Sequence, residues 1–535
     1  MKVRKGEILI IIFCYLVLMG IAFLNPVIIK YIMDQGMMEK NFQLIFQFAL
    51  VLLILVSVEE GISILQEYFF QNLHNSVALN LHKKVFYKLL RMRMKYFQQH
   101  NATEIMNRLA SDIESVSLVV DSNMMNIFRY VFQIISGVVG LVVIEWKLAI
   151  MVLLMIPIKC FLICIFARKK ERAIQEWITA EADFSAWFAD NVQGLKEIKL
   201  WNLYRGKCCE FKKRKKEVLI IRKKSALLEA FNFSSDSMLQ GIMTMMLYIA
   251  GGFLVCQKNF TIGGITAFIS YSSYVIGPIA LLFNLRFTFA QIRPSLERLR
   301  EFLKEEVEEE AKNGCSIERF EKDIRFESVK FGYAEQLVLR KINLNIKKGE
   351  KIALIGKNGC GKSTIVNLLL RFLEPQEGHI YIDGMDIKQC KLEAYRNLFA
   401  VISQDIYLFC DSVWNNIVMG KEIDASRLEN ISEKLQLHTL IKSFPKGYDT
   451  VLQGNGENLS GGERQKIALL RAVIKDAPIL IMDEATAHID GGYSNFLQEY
   501  ILQEFSDKTI IMITHNKEHL TMMDRIYEVK EGMIR

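Results

Sequence analysis

Gly356-Lys357-Asn358-Gly359-Cys360-Gly361-Lys362-Ser363-Thr364 carries the clearest chemistry in this chain. The apolar run Ile352 to Ile355 reads as a strand before it, and Thr364 to Phe372 as a helix after it. In that setting the glycines let the backbone turn tightly, so that successive N–H groups point at phosphate oxygens. The helix start adds unpaired donors and the positive end of the helix dipole. Lys362 is placed to reach the outer phosphates of a nucleotide, and the Ser363 hydroxyl to hold Mg²⁺. A glycine-rich turn that only caps a helix is the plainer reading, and the strand–loop–helix context tells against it.

Further groups fit the same chemistry. Ile479 to Met482 is a buried-strand pattern ending in Asp483-Glu484. An acid at such a strand end can hold Mg²⁺ directly or through water, which suits Asp483. Glu484 would then face the attacking water as base or orienter. An acid that merely caps a helix is the alternative. Thr509 to Ile513 is a second buried-strand pattern, followed by Thr514-His515. His515 could bond a terminal phosphate, although a lone histidine is more often structural. Leu459-Ser460-Gly461-Gly462-Glu463 opens a helix over Arg464 to Lys475 and makes a second anion site. One chain with a single lysine-bearing loop has little use for two such sites, whereas two chains set head to tail could share them.

These segments need scaffolds of two kinds. In the second half, strand and helix patterns alternate, which predicts a parallel-rich α/β domain. In the first half the chain is too apolar for an ordinary soluble protein. Across all 535 residues, hydrophobic content is 51% and mean hydropathy +0.18. A bilayer core of roughly 30 Å takes about 20 apolar helical residues. Six stretches qualify: 8–31, 42–72, 124–145, 147–167, 237–257 and 261–290. Bases precede the first span (Lys2, Arg4, Lys5) and crowd the long connections after the second and fourth (Lys83 to Arg108, and Arg168 to Lys224). The short connections carry few, so the N-terminus and both long connections are placed in the cytoplasm. Basic runs that flank apolar spans tell against nucleic-acid binding, for all the net charge of +8. The ten cysteines are scattered and show no metal spacing, so reduced thiols are expected. The first apolar run lacks a convincing cleavage site and reads as a retained span.

Within the second span, Glu60, Glu67, Gln71 and His74 share one helical face. They read either as a cavity wall that favours cationic groups or as a stripe that is solvated or paired with Arg286. Tyr271, Tyr274 and Pro278 share a face of the sixth span, for which helix packing is as good an account as substrate contact. An acidic run from Glu301 to Glu310 then leads out of the membrane half and reads as a helix end plus a solvated linker. The expected domains are 1–304, a linker at 305–318, and 319–535.

The order and spacing of these motifs resemble an ATP-binding cassette: Gly356–Ser363 is similar to Walker A, Gln404 to the Q-loop, Leu459–Glu463 to the signature, Ile479–Glu484 to Walker B, Asp490 to the D-loop and His515 to the H-loop. Tyr333 resembles the aromatic residue that stacks on adenine. Pro26–Gly36, Phe97–Arg108 and Pro294–Leu303 are similar to the membrane domain of ABC exporters. The resemblance covers essentially the whole chain. It implies a multidomain membrane protein, an all-α six-helix transmembrane domain followed by an α/β P-loop ATPase domain, that is, a half-transporter. It implies that Lys362, Gln404, Glu484 and His515 act in hydrolysis, and that Ser363, Gln404 and Asp483 hold Mg²⁺. ATP would lie on Tyr333 and on Gly356, Lys357, Asn358, Gly359, Cys360, Gly361, Lys362, Ser363 and Thr364, closed by Ser460, Gly461 and Gly462 of a second chain. A homodimer is the first reading and a heterodimer the alternative. Coupling helices are expected near Leu109–Val116 and Leu200–Gly206. The chain departs from the family pattern at Glu463 (usually Gln), at His488 in the D-loop region, and at Gln453-Gly454 (commonly Gly-Glu).

The implied function is ATP-driven export of a peptide or other amphipathic solute. A lipid flippase or drug efflux pump is the alternative, and a non-transporting ATP-dependent membrane regulator is a third class. With so few residues before residue 8, a leader-cutting peptidase would be another protein. Glu484→Gln is expected to keep ATP binding and to lose turnover by about 100-fold or more. Phosphate release together with trapped nucleotide measures this, and full activity in the variant would remove Glu484 from its role.

Overall fold

The structure, a computed structural model, describes residues 5–99, 102–120, 122–257, 260–308, 314–333, 336–483, 496, 500–501, 505, 507–514 and 517–535. Helices follow one another from the N-terminus: α1 (Lys5–Tyr31), α2 (Phe42–Leu90), α3 (Met94–Gln99), α4 (Ala102–Ser117), α5 (Ser122–Gln193), α6 (Leu195–Leu200), α7 (Tyr204–Cys256) and α8 (Ile262–Lys304). The chain divides into two compact units: Met1–Leu90 with Thr103–Glu305, and Arg91–Ala102 with Glu306–Arg535.

Among the described residues of the first unit, five helices are long and apolar enough to cross a membrane: α1, α2, α5, α7 and α8. Six spans are expected, and the count of long apolar helices differs at α5. Within α5, Glu145 has φ −160° and ψ 101°, so the run is two helices joined at a break. That break is the turn expected near Glu145-Trp146-Lys147, and 124–145 and 147–167 fall on its two arms. At 49 residues α2 reaches about 74 Å, well beyond a bilayer core, so it continues as an ordered arm. The stretch Leu109–Val116 lies in α4. By contrast Leu200–Gly206 is not a helix of its own: α6 ends at Leu200, Asn202 turns the chain with φ 51°, and α7 starts at Tyr204.

Close approach between these helices depends on small residues, as expected where lipid offers no hydrophobic drive. Tyr271 of α8 is 1% exposed, and its hydroxyl donates to the Phe23 carbonyl at 2.6 Å. Its ring fills the space over Gly140, where an added Cβ would lie 2.6 Å from it. Tyr271 is therefore a packing residue. Lys159, 4% exposed at its side chain, pairs with Asp236 at 2.6 Å and donates to the Ile276 carbonyl at 2.8 Å, tying α5, α7 and α8 together. Just beyond α1, Asp34 braces the start of α8, where the Thr261 hydroxyl accepts from Gly264 N at 2.9 Å. Asp34 Oδ1 accepts from Gly263 N at 2.8 Å and its Oδ2 from the Thr261 hydroxyl at 2.7 Å.

The second unit holds two sheets. β1 (Asp323–Tyr333), β2 (Gln336–Lys347), β4 (Glu377–Ile382) and β5 (Met385–Asp386) form an antiparallel sheet in the order β2-β1-β4-β5, which the alternating strand–helix pattern does not foretell. The larger sheet contains β3 (Lys351–Ile355), β6 (Phe399–Ile402), β7 (Ile479–Asp483), β8 (Thr509–Ile513), β9 (Arg525–Lys530) and β10 (Met533–Ile534), ordered β10-β9-β3-β8-β7-β6. It is parallel except at the β9–β10 edge. Among the described residues, helices α9 (Lys362–Leu369), α10 (Leu392–Asn397), α11 (Val413–Val418), α12 (Ala425–Lys434), α13 (His438–Ser443) and α14 (Gly461–Lys475) belong to the same unit.

Part of the acidic run is also built into this unit and is not simply solvated. Glu308 N donates to the Arg91 carbonyl at 2.7 Å, and Met92 bridges Val307. The Glu308 carboxylate takes both arms of Arg396, at 2.7 and 2.9 Å, and Arg93 pairs with Glu306 at 3.0 Å.

Asp34→Ala removes the acceptor of Gly263 N and of the Thr261 hydroxyl at the start of α8, at a cost of about 1–2 kcal/mol. Thermal unfolding of the intact chain in detergent is expected to fall by several degrees, with Asp34→Asn in between. An unchanged melting temperature would show that water replaces the carboxylate.

Candidate active site

The loop from Gly356 to Gly361 joins β3 to α9 on the carboxyl side of the parallel sheet, where open α/β sheets bind ligands. Three of its glycines sit at positive φ: Gly356 at 147°, Gly359 at 78° and Gly361 at 110°. Two also lack room. A Cβ at Gly356 would lie 2.3 Å from the Val529 carbonyl oxygen, and one at Gly361 would lie 2.7 Å from Leu339 Cδ2. The backbone is thus confined to a turn that only glycine fits. Lys362 is 6% exposed, and its Nζ donates to the Gly356 and Lys357 carbonyls at 2.8 and 3.1 Å. Those bonds hold a positive charge over the mouth of the loop. Thr364 is buried beneath, while Ser363, Lys357, Asn358 and Gly359 are exposed. This helix begins at Lys362, earlier than the sequence pattern suggests.

Register places the other groups along the same edge. Leu354 pairs with Ile513, Ile513 with Asp483, and Met482 with Ile402. β8 alone separates β3 from β7, so at roughly 4.8 Å per strand Asp483 sits about 10 Å from the β3 line. Gln404 follows β6 one strand further on and is exposed. A hydroxyl (Ser363), a carboxylate (Asp483) and an amide (Gln404) are oxygen donors suited to Mg²⁺, with phosphate oxygens and waters for the remaining positions. Thr514 at the end of β8 is buried. Glu484 and His515, together with His488 and Asp490, lie outside the described residues.

Tyr333 ends β1, is 38% exposed, and meets Phe331 edge-on at 5.1 Å. Phe331 thus packs against the Tyr333 ring, which stays partly exposed.

The segment expected to make a second anion site is a capping box at the start of α14. Ser460 Oγ accepts from Glu463 N at 3.3 Å, and Glu463 Oε2 accepts from Ser460 N at 2.8 Å. The departure at Glu463 has a structural role here, since its carboxylate closes the box. Gly461 and Gly462 form the first turn.

Two site-supporting residues escape sequence reasoning. Asn416 is 1% exposed, and its amide bonds both the N–H and the carbonyl of Phe409, at 2.8 and 3.0 Å. Arg471 of α14 donates to the Asn416 and Tyr407 carbonyls at 2.7 and 3.1 Å. Together they pin the loop after Gln404 to the helix that Ser460 caps. A lone Asn and a lone Arg carry no spacing signal for this.

On α2, Glu60, Glu67 and Gln71 are exposed and His74 is half-buried. The neighbouring Glu59, which sequence alone does not single out, pairs with Arg129 at 3.1 Å. Arg286's side chain lies outside the described residues.

Comparison with known proteins agrees over both halves. Residues 8–279 match the family described as ABC transporter transmembrane region, and residues 339–487 match that described as ABC transporter. A protein of Bacillus subtilis (strain 168) named as a multidrug export ATP-binding/permease protein is 26% identical over 545 residues, spanning 100% of this chain and 94% of the relative. An ATP-dependent lipid A-core flippase of a Polaromonas species is 28% identical over 510 residues, spanning 95% of this chain and 86% of the relative. The solved structure of a bacterial Atm1-family ABC exporter with ATP bound superposes with a TM-score of 0.82 at 20% identity, covering 99% of this chain and 94% of that one.

Cys360 sits inside the loop and is half-buried. Bound ATP is expected to slow its alkylation by about tenfold, since phosphate oxygens would cover the loop N–H groups around it. Mass-spectrometric labelling with and without ATP reads this out, and equal rates would argue against the assigned site.

Proposed function

This chain belongs to the ABC transporter family, an ATP-hydrolysing exporter with a transmembrane region and an ATPase domain in one polypeptide, and on that premise we propose that two copies work head to tail to move an amphipathic substrate out of the cytoplasm. The observation that supports the shared site is internal to one chain. The loop that carries Lys362 and the helix start capped by Ser460 are separate anion-binding devices, and one nucleotide between two chains would use both.

In this scheme the loop N–H groups and the Lys362 ammonium bind the phosphates, and Tyr333 stacks on the base. The partner's Ser460, Gly461 and Gly462 cover the terminal phosphate. Ser363, Asp483 and Gln404 would hold Mg²⁺, which when bound neutralises developing phosphate charge. Glu484 and His515 would orient the attacking water, which leaves the work to positioning and charge. ATP drives the cycle only by binding the closed pair better than the open one, and hydrolysis removes that bias. The ends of the long arms, in α4 and around α6, would pass the motion to the membrane helices.

The distribution of bases supports a cytoplasmic N-terminus and ATPase domain. A homodimer is favoured because Lys362, Ser363, Ser460 and Asp483 are all present in this chain. For cargo, a peptide is the narrower reading. The relatives named for multidrug export and for lipid A flipping support a lipid or drug-like amphipath instead.

Mixing two inactive variants tests the arrangement. Lys362→Ala and Ser460→Arg are each expected to lose nearly all ATPase activity. Purified as a mixed dimer, they retain one intact composite site and should recover about a quarter to a half of wild-type turnover per dimer, as an order-of-magnitude expectation for one site of two. No recovery in the mixed dimer would sink the head-to-tail reading.

A further inference from the structure

Glu59 of α2 and Arg129 of α5 form an ion pair inside the membrane half, one residue away from the stripe that sequence points to. Ionisable groups at such a depth mark function more often than stability, because hydrocarbon penalises them. The pair is joined by a single contact, Arg129 Nη2 to Glu59 Oε1 at 3.1 Å. Glu59 is 24% exposed at its side chain and Arg129 39%. Among the described residues, Glu59 Oε2 and the other guanidinium donors have no protein partner. They open onto a cavity of about 60 Å³, lined also by Tyr15, Gln133, Phe132 and Tyr274. The cavity draws on α1, α2, α5 and α8, each of membrane-crossing length. A pair kept only for packing would be closed and bidentate, as Arg396–Glu308 is in the second unit.

We propose that this cavity is a substrate subsite for the zwitterionic head of an amphipath, with a primary ammonium taken by Glu59 and a phosphate or carboxylate by Arg129; this rests on the reading of the chain as an exporter of amphipathic molecules. The selectivity follows from the pair itself. A ligand with one charge that competes for Glu59 or Arg129 leaves the other without its counter-charge in a low-dielectric site. A zwitterion replaces both partners at once, and the site stays neutral throughout. The free Glu59 oxygen accepts N–H donors, which a primary ammonium has and a quaternary one lacks. Tyr15, Phe132 and Tyr274 supply ring surface for the adjoining chain and ring faces for the cation.

The test is equilibrium binding to the full chain in nanodiscs of phosphatidylcholine and phosphatidylglycerol, without ATP, so that it reads the subsite apart from transport. The probes are lysophosphatidylethanolamine, dodecylamine (cation only), lysophosphatidic acid (anion only) and trileucine, whose free ends make the peptide version of the same zwitterion. The wild-type protein is expected to bind lysophosphatidylethanolamine at least tenfold more tightly than either singly charged probe. Glu59→Gln should lose that preference and turn towards lysophosphatidic acid, and Arg129→Gln should turn towards dodecylamine. The double variant, which carries no uncompensated charge, guards against loss through misfolding and should bind all the probes equally weakly. Trileucine competing with the lipid would assign the subsite to peptides as well, and its failure to compete would assign it to lipid heads. Affinities for lysophosphatidylethanolamine within about threefold across wild type and variants would overturn the proposal, as would wild-type binding that does not favour the zwitterion. ATP-driven movement of the probe, measured separately, can fail while the binding pattern holds, and then only the exporter reading falls.

Discussion

The nucleotide-binding half depends on one backbone constraint. Between β3 and α9 the chain must turn with Gly356, Gly359 and Gly361 all at positive φ, while Val529 and Leu339 stand where two of their side chains would be. Any other residue would strain the turn or push the neighbouring strands apart. So confined, the loop gathers carbonyls around Lys362, and those of Gly356 and Lys357 hold its ammonium in place. The parallel register then sets Asp483 and Gln404 along the same edge, without either having to search for its position.

The membrane half is held by different means. Its helices meet through small residues and through charges that only another charge or a carbonyl can satisfy. Tyr271 over Gly140 is the first kind, and Lys159 with Asp236 and the Ile276 carbonyl is the second. Large apolar side chains along α2 and α7 stay exposed on the single chain, as expected of faces made for lipid or for a second copy. Glu59 and Arg129 belong to the charged set but differ from Lys159 in one respect: their unused valences face open space. That difference separates a group that locks helices from one that can receive a ligand.

The signature helix shows how a departure from a family pattern can be read structurally. Glu463 closes the capping box on Ser460, so a residue that looks like a substitution in the motif has a definite local task. Arg471 and Asn416 extend the same logic, tying that helix to the loop after Gln404. The loop after Gln404 and the helix after Ser460 are thereby joined through carbonyls, which no motif records.

What the amino-acid string determines by itself is local. The phosphate loop needs only a strand, glycines, a lysine and a helix within about twenty residues. The spans need only uninterrupted apolar runs, and so both were legible, as was the buried strand that ends in Asp483. What tertiary structure alone decided lies between distant segments. One position along a helix is a rotation of about 100°, so choosing Glu59 over Glu60 as the inward acid required a partner 70 residues away. The antiparallel sheet, the anchoring of Glu308 by Arg396 and the packing of Tyr271 onto Gly140 are of the same kind. Each depends on where two elements meet, and spacing along the chain carries no record of that.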